Sequence, residues 1–293
     1  MSEIKDCIAP DRNPRRPHIK VPKGSVDTHV HVFEPRYPLS PARGYNPPAS
    51  TLGDLRHLHA TLGIDRVVFT QPSVYGIDNS AIVDGMKALN RETPNRARAV
   101  VALDMSFTDA QLAELDAVGV RGVRLNTDNK GGMPISFEDI PELSARIRPF
   151  HWHLEFLFPG KDIVELMPVF TSLAIPTSIA HFAYQPATAG VKAPGFLALI
   201  ELAKRGNTWI KISGANRVSR GDLPPYDDVK PMAQALIAAA PERIMWGTDW
   251  PHPNKYVVNP NDGDLVDAFG DWVPDEAMRR RILVDTPGAF YRF

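Results

Sequence analysis

The strongest constraint on the fold is an eightfold alternation. Short apolar, β-branched runs recur at residues 26–33, 66–71, 97–103, 120–126, 153–158, 177–181, 209–213 and 243–247. They are almost continuously hydrophobic. Strands buried on both faces of a parallel sheet read that way, whereas a sheet with one wet face alternates. The helix-length segments that accompany them are 52–62, 79–90, 108–118, 136–148, 161–173, 194–205, 226–239 and 275–284. The first carries Leu55, Leu58 and Leu62 at helical spacing, and the second Ile82, Val83, Met86 and Leu89. Thr108 is placed to cap the third. Parallel neighbours need crossovers of this kind. Eight βα units within 293 residues predict an α/β fold, a (β/α)8 TIM barrel forming one domain over 26–293 after an N-terminal extension of residues 1–25. No G-x-G-x-x-G turn follows any run, which removes the usual signature of an open dinucleotide-binding sheet.

Composition narrows the function. Lys and Arg total 33 against 34 Asp and Glu, a net charge of -1, so the basic excess of a general nucleic-acid binder is missing. A hydrophobic share of 43% excludes wholesale disorder. The single cysteine, Cys7, has no partner for an internal disulfide. No stretch reaches the roughly 18–20 apolar residues of a membrane helix. Residues 1–23 hold charges and four prolines and lack the apolar run of a secretory signal. The expectation is a soluble cytoplasmic protein with a small-molecule partner, no nucleic acid and no membrane. Its N-terminal segment is expected as a tail or as a strap across the barrel bottom.

In this barrel the active site lies at the C-terminal ends of the strands. The first run ends in Asp27-Thr28-His29-Val30-His31, and residues two apart on a strand share a face. Two imidazoles converging there can bind a divalent metal or hydrogen-bond a substrate oxygen. The sixth run ends at His181, and the eighth opens into Trp246-Gly247-Thr248-Asp249-Trp250-Pro251-His252-Pro253. Singly, such a histidine is a packed core residue and such an aspartate a helix cap. Together, His29, His31, His181 and Asp249 at the tops of three strands point to one catalytic mouth. Arg124, at the end of an otherwise buried strand, is a binding residue in preference to a surface ion pair.

These motifs resemble the amidohydrolase superfamily. The resemblance sharpens to the branch typified by 2-pyrone-4,6-dicarboxylate lactonase. It is carried by Val26-Asp27-Thr28-His29-Val30-His31-Val32-Phe33, by Gln71-Pro72-Ser73-Val74-Tyr75-Gly76-Ile77-Asp78-Asn79, by Gly122-Val123-Arg124-Leu125-Asn126 and by the Asp249 segment. It implies lactone ring opening with Asp249 as general base and His29, His31 and His181 stabilising the oxyanion. Arg124 and Arg217 would bind a carboxylate, with Ser73 and Tyr75 as further substrate contacts. Neighbouring protonated imidazoles would keep Asp249 ionised.

The sequence departs from that branch in two places. Metal-dependent relatives place a ligand at the end of strand 5, where this chain has Phe156, Leu157 and Phe158; Glu155 is mid-strand, a candidate only if it points inward. No cofactor is therefore expected. Zinc is the alternative, with His29, His31, His181 and Asp249 as its ligands, and it would suit a zinc-dependent amidohydrolase or decarboxylase. Second, the branch is similar within itself in a His-x-Gly-Arg-Pro segment, where this chain reads His181-Phe182-Ala183-Tyr184-Gln185-Pro186. Tyr184 or Gln185 replaces an arginine clamp with neutral hydrogen bonds, and Asn126 adds another. The next basic residue after Arg124 is Lys130. This favours a hydroxylated sugar-acid (aldaric) lactone such as D-galactarolactone. A substrate hydroxyl could then replace water as nucleophile, converting a 1,5-lactone into a 1,4-lactone instead of opening it. The alternatives are 2-pyrone-4,6-dicarboxylate hydrolysis and a catalytically inactive scaffold barrel, which retention of the four site residues opposes.

Overall fold

The computed structural model describes residues 4–129, 131 and 134–293; Lys130 lies outside them. Eight strands follow one another round a single sheet: β1 (Val26–Val30), β2 (Arg66–Thr70), β3 (Ala97–Val101), β4 (Val120–Asn126), β5 (His153–Leu157), β6 (Thr177–Ile179), β7 (Thr208–Lys211) and β8 (Ile244–Met245). Each neighbouring pair is parallel. Strand β8 is only two residues long, but the chain beyond it keeps to the edge of β1. The N–H groups of Thr28 and His31 donate to the carbonyls of Trp246 and Trp250, and the N–H of Asp249 donates to the carbonyl of His29. These bonds close the sheet into a (β/α)8 barrel.

The helices α1 (Leu52–Leu62), α2 (Ser80–Glu92), α3 (Asp109–Val118), α4 (Ile140–Ile147), α5 (Ile163–Ser172), α6 (Pro194–Lys204) and α7 (Lys230–Ala239) lie within or close to the segments expected from spacing. Thr51 and Thr108 start α1 and α3 with capping boxes, each satisfying a free N–H of the first turn. The eighth helix corrects the sequence reading. It is α8 (Asp262–Trp272), capped by Asn261, and not the segment 275–284. That segment forms the short α9 (Glu276–Arg280) and a π-helical turn, Arg281–Asp285, followed by α10 (Thr286–Phe290). Four aspartates and two glycines mask the helical propensity of α8. The glycines serve packing: a Cβ at Gly263 would stand 2.3 Å from the carbonyl oxygen of Arg15, and one at Gly270 would stand 2.7 Å from Ile19.

That contact identifies what the N-terminal segment does. It does not cross the barrel bottom. Cys7 and Ile8 hydrogen-bond the backbone of Asn46 and Lys255 at the catalytic mouth. From there the chain runs down α8, where Arg15 pairs with Asp264 and Asp267. The bottom is closed from the other terminus: Tyr291 packs with Val26, Val68, Val100 and Met245. Arg98 donates to the Tyr291 and Arg292 carbonyls.

Strand β1 contains a bulge that builds the site. Asp27 stands opposite Val67, but Val30 stands opposite Phe69, so β1 carries one residue more than its partner. The extra residue changes the parity of the inward face. Val26 packs in the floor cluster, and His29 and His31 still point inward above it. Asp27 turns the other way, to His59 on α1 and to Thr248. No helix among the described residues is long and apolar enough to cross a membrane.

Candidate active site

Asp249 is fully buried and adopts a left-handed backbone, φ 63°. A non-glycine residue holds that conformation only when its surroundings enforce it. Here they do. Its carbonyl accepts from the N–H of His252 at 2.7 Å. On the preceding side, Thr248 donates its N–H and its hydroxyl to the two oxygens of Asp27 at 2.9 and 2.6 Å. The N–H of Trp250 in turn donates to the Thr248 hydroxyl at 3.0 Å. Asp27 thus anchors the turn that carries Asp249.

One carboxylate oxygen of Asp249, Oδ2, accepts from Arg217 Nε at 2.6 Å. The other, Oδ1, has no hydrogen-bond partner among the described residues. It faces the Nε2 atoms of His29, His31 and His181 at 3.9, 3.8 and 3.5 Å. The structure therefore brings together the four residues read from the strand ends. Each histidine is oriented through its other nitrogen. His31 Nδ1 lies 2.7 Å from the Thr70 carbonyl, and His181 Nδ1 lies 3.0 Å from the Ser213 hydroxyl. His29 Nδ1 faces the buried pair Lys211–Glu155, at 3.5 Å from the ammonium and 3.6 Å from the carboxylate. A carbonyl can only accept, so His31 carries its proton on Nδ1 and presents a lone pair at Nε2.

The electrostatics differ from the sequence expectation. Burial pushes His31 and His181 down to about 3 and His29 well below the ordinary imidazole range, so the three rings are neutral. Burial alone would raise the Asp249 carboxyl, but Arg217 and, after it, His181, His31 and His252 together outweigh burial and hold the group below the ordinary carboxylate range. The counter-charge is the guanidinium, not imidazolium. Arg217 thereby has a task beyond the carboxylate binding expected of it from the sequence. Its Nε holds Asp249 and its Nη2 donates to the Pro253 carbonyl, while the side chain lines the cavity.

Above this cluster lies a cavity of about 290 Å³, counting its open mouth. His31, His181, Asp249, Arg124, Arg217, Ser73, Asn126 and Tyr184 line it, as do Tyr45, Asn129, Leu157, Pro253 and Asn254. Arg124 donates through Nη1 to the Gln71 carbonyl at 2.7 Å, and its buried Nε has no partner among the described residues. Two expected contacts are used elsewhere. The Tyr75 hydroxyl accepts from the N–H of Glu34 at 3.1 Å. Gln185 donates to the carbonyls of Gly160 and Ala183 at 2.6 and 3.2 Å, tying two loops together beside the site. Glu155 does point inward, but to the Nδ1 side of His29, whereas Asp249 lies on the Nε2 side. Tyr45 had no local signal, being one tyrosine in the long connection after β1. Lys211 did have one: like Arg124, it is a charge inside an apolar strand.

The donor set suits a divalent ion. His29, His31 and Asp249 each offer a ligand atom, all within 4.8 Å of one another, and His181 Nε2 stands beside Asp249 Oδ1. Two of these atoms, His29 Nε2 and Asp249 Oδ1, are buried without a partner among the described residues. Nitrogen and carboxylate donors of this kind are zinc ligands elsewhere.

A family model described as amidohydrolase matches residues 26–293. The chain belongs to the amidohydrolase family. It is 36% identical to the 4-sulfomuconolactone hydrolase of Hydrogenophaga intermedia, over 97% of this chain and 94% of that one. It is 34% identical to the 2-pyrone-4,6-dicarboxylate hydrolase of Comamonas testosteroni, covering 95% and 93%. The D-galactarolactone isomerase of Agrobacterium fabrum is 32% identical, covering 94% of each. Among solved structures, the apo crystal structure of an Agrobacterium tumefaciens protein matches with a TM-score of 0.83 at 32% identity, covering 94% of this chain and 98% of that one. The superfamily and the branch resembled by the strand-end motifs are those of these relatives.

Proposed function

We propose that this amidohydrolase processes the lactone of a carboxylated, hydroxylated acid. A sugar-acid (aldaric) lactone such as D-galactarolactone fits best, either opened by water or isomerised from a 1,5- to a 1,4-lactone. One observation carries the chemistry: an ionised, buried Asp249 with a free oxygen aimed at three neutral imidazoles, beneath a cavity walled by Arg124 and Arg217. The substrate class rests on the neutral groups on that wall, Tyr45, Ser73, Asn126, Asn129, Tyr184 and Asn254, which suit hydroxyls. The relatives named lactone hydrolases and a lactone isomerase support the reaction class. The two guanidinium groups favour a second reading, 2-pyrone-4,6-dicarboxylate hydrolysis, in which each meets one carboxylate.

In the proposed reaction the nucleophile donates a hydrogen bond to Asp249 Oδ1. A water has a second hydrogen, and the lone pair of His31 Nε2 accepts it. His31 thus orients the nucleophile, a different role from the oxyanion donor expected from sequence. The nucleophile's oxygen bonds to the carbonyl carbon as its proton passes to Asp249. Negative charge develops on the carbonyl oxygen, which His29 and His181 stabilise through Nε2–H donors. The ring C–O bond then breaks and its oxygen recovers the proton from Asp249. Only the source of the nucleophile separates hydrolysis from isomerisation.

Charge supports a reaction without a metal. Arg217 already answers the single carboxylate of the ligand set, and the Lys211 ammonium stands behind His29. A divalent ion, when bound, would be held by His29, His31 and Asp249 and would supply Lewis-acid polarisation of the carbonyl. The test is a panel of carboxylated and neutral lactones followed by NMR in ¹⁸O-labelled water, with and without chelator. Label in a ring-opened acid means hydrolysis, and an unlabelled new lactone means isomerisation. Turnover lost with chelator and restored by zinc overturns the metal-free mechanism. No turnover of any carboxylated lactone overturns the function.

A further inference from the structure

Behind His29, on the side away from the cavity, lies a buried ion pair to which the proposed reaction gives no task. Lys211 on β7 and Glu155 on β5 are both fully buried, with Nζ and Oε2 in direct contact. An ammonium has three N–H donors. Lys211 directs one to Glu155 Oε2 and one to the Thr28 carbonyl at 2.7 Å. The third acceptor within reach is His29 Nδ1, at 3.5 Å. The face of Tyr291 closes another side, its ring centre 5.7 Å from Nζ.

His29 Nδ1 also lies 3.6 Å from Glu155 Oε1. The ring therefore stands between a donor and an acceptor, and the partner it takes decides where its proton sits. With Glu155 as partner, the proton is on Nδ1 and Nε2 is a lone pair, the state that ligates a metal. With Lys211 as partner, the proton is on Nε2, the state that donates to an oxyanion. At Nδ1 the third N–H of Lys211 and Glu155 Oε1, which has no other partner among the described residues, compete at nearly equal distance, so the decision falls to the other end of the ring. At Nε2 the neighbour is the partnerless Asp249 Oδ1, 3.9 Å away. A lone pair facing a carboxylate is repelled and an N–H is attracted. The third ammonium donor and the Asp249 carboxylate thus favour the same tautomer.

We infer that Lys211, braced by Glu155, fixes His29 as its Nε2–H tautomer and so makes it a ready donor to the lactone carbonyl oxygen. Both are positioning residues, since neither touches the cavity. The inference rests on the lactone reading for its consequence, while the tautomer is measurable without substrate. The test is long-range ¹H–¹⁵N correlation NMR of the ¹⁵N-histidine-labelled protein, with His29 assigned by its loss in His29→Asn. The expected spectrum shows a protonated Nε2 and an unprotonated Nδ1; the reverse pattern overturns the inference. The double variant Glu155→Met/Lys211→Met removes the pair without stranding a charge, an exchange that buried ion pairs generally tolerate. In it Asp249 alone still favours Nε2–H, so the shifts of the two His29 nitrogens should move toward each other without exchanging places. Its kcat should fall about 10²-fold, the loss typical of one oxyanion donor, with KM nearly unchanged. An unchanged Nε2–H signature in the double variant shows that the pair does not select the tautomer. A shifted tautomer with unchanged kcat shows that His29 is not the donor. If the tautomer behaves as expected but no lactone is turned over, the selection by Lys211 stands and the functional reading falls.

Discussion

Asp249 is wholly buried, and the largest influence keeping it charged there is a guanidinium 2.6 Å away. That pairing could not be read from the sequence, because Arg217 lies 32 residues earlier on another loop. The identities of the four central residues were legible, since strand-end histidines and an aspartate in a Pro-rich turn stand out against apolar runs. Their protonation was not, since burial sets it. The neutral rings and ionised carboxylate have a kinetic consequence. His31 and His181 stay neutral at all pH values above about 3, and Asp249 stays ionised above its depressed value. On the enzyme side, kcat/KM should therefore be flat between about pH 5 and 8, where an ordinary histidine titrates. An inflection near the ordinary imidazole value would show that one ring works as imidazolium. Arg124 makes a separable prediction. It lines the cavity but does not touch Asp249, so Arg124→Met should act mainly on KM. Losing a charge-assisted bond costs roughly 1.5–3 kcal/mol, or about 10- to 100-fold in kcat/KM. Equal losses on neutral lactones would show that Arg124 does not meet a carboxylate.

The β-strands were nearly all legible as elements because burial on both faces makes them continuous apolar runs. Their details were not. The β1 bulge leaves no mark in the pattern, yet it lets Asp27 brace Thr248 from outside the barrel while His29 and His31 face inward. Helix α8 was hidden because its composition answers to the N-terminal segment packed on it. The junction of β8 with β1 makes an element-scale prediction. A Cβ at Gly247 would stand 2.7 Å from the His29 nitrogen and 2.9 Å from Asp27 Oδ1. Backbone cannot yield there without moving Asp249, two residues on. Gly247→Ala should therefore cost about 1–3 kcal/mol of stability, the range for overpacking, and lower kcat as well. A thermal scan and initial rates check it. An unchanged Tm would mean that the barrel seam is looser than the distances imply.

Across the whole molecule, both termini serve the barrel. The C-terminal Tyr291 plugs the floor, and residues 4–24 tie mouth loops to α8. The barrel also stores four histidines uncharged, His29 among them. His31, His153 and His181 are each pushed down to about 3 by burial. The unfolded chain takes up their protons near 6.5, so it binds more protons than the folded one below that pH. Stability should be complete above about pH 7 and decline as pH falls through 6.5 toward 3. Asp249, held below its ordinary value, adds to the loss in the same direction once pH falls below about 4. Denaturant midpoints across that range test this, and a midpoint independent of pH would contradict neutral burial. The central claim is that Asp249 is the base of a lactone-processing reaction. Its most direct test is steady-state kinetics of Asp249→Asn beside the wild type on the carboxylated lactones that the wild type turns over. The amide keeps the shape of the side chain and removes its basicity. Turnover should fall by a factor on the order of 10² or more while substrate still binds. Near-normal turnover by Asp249→Asn would contradict the claim.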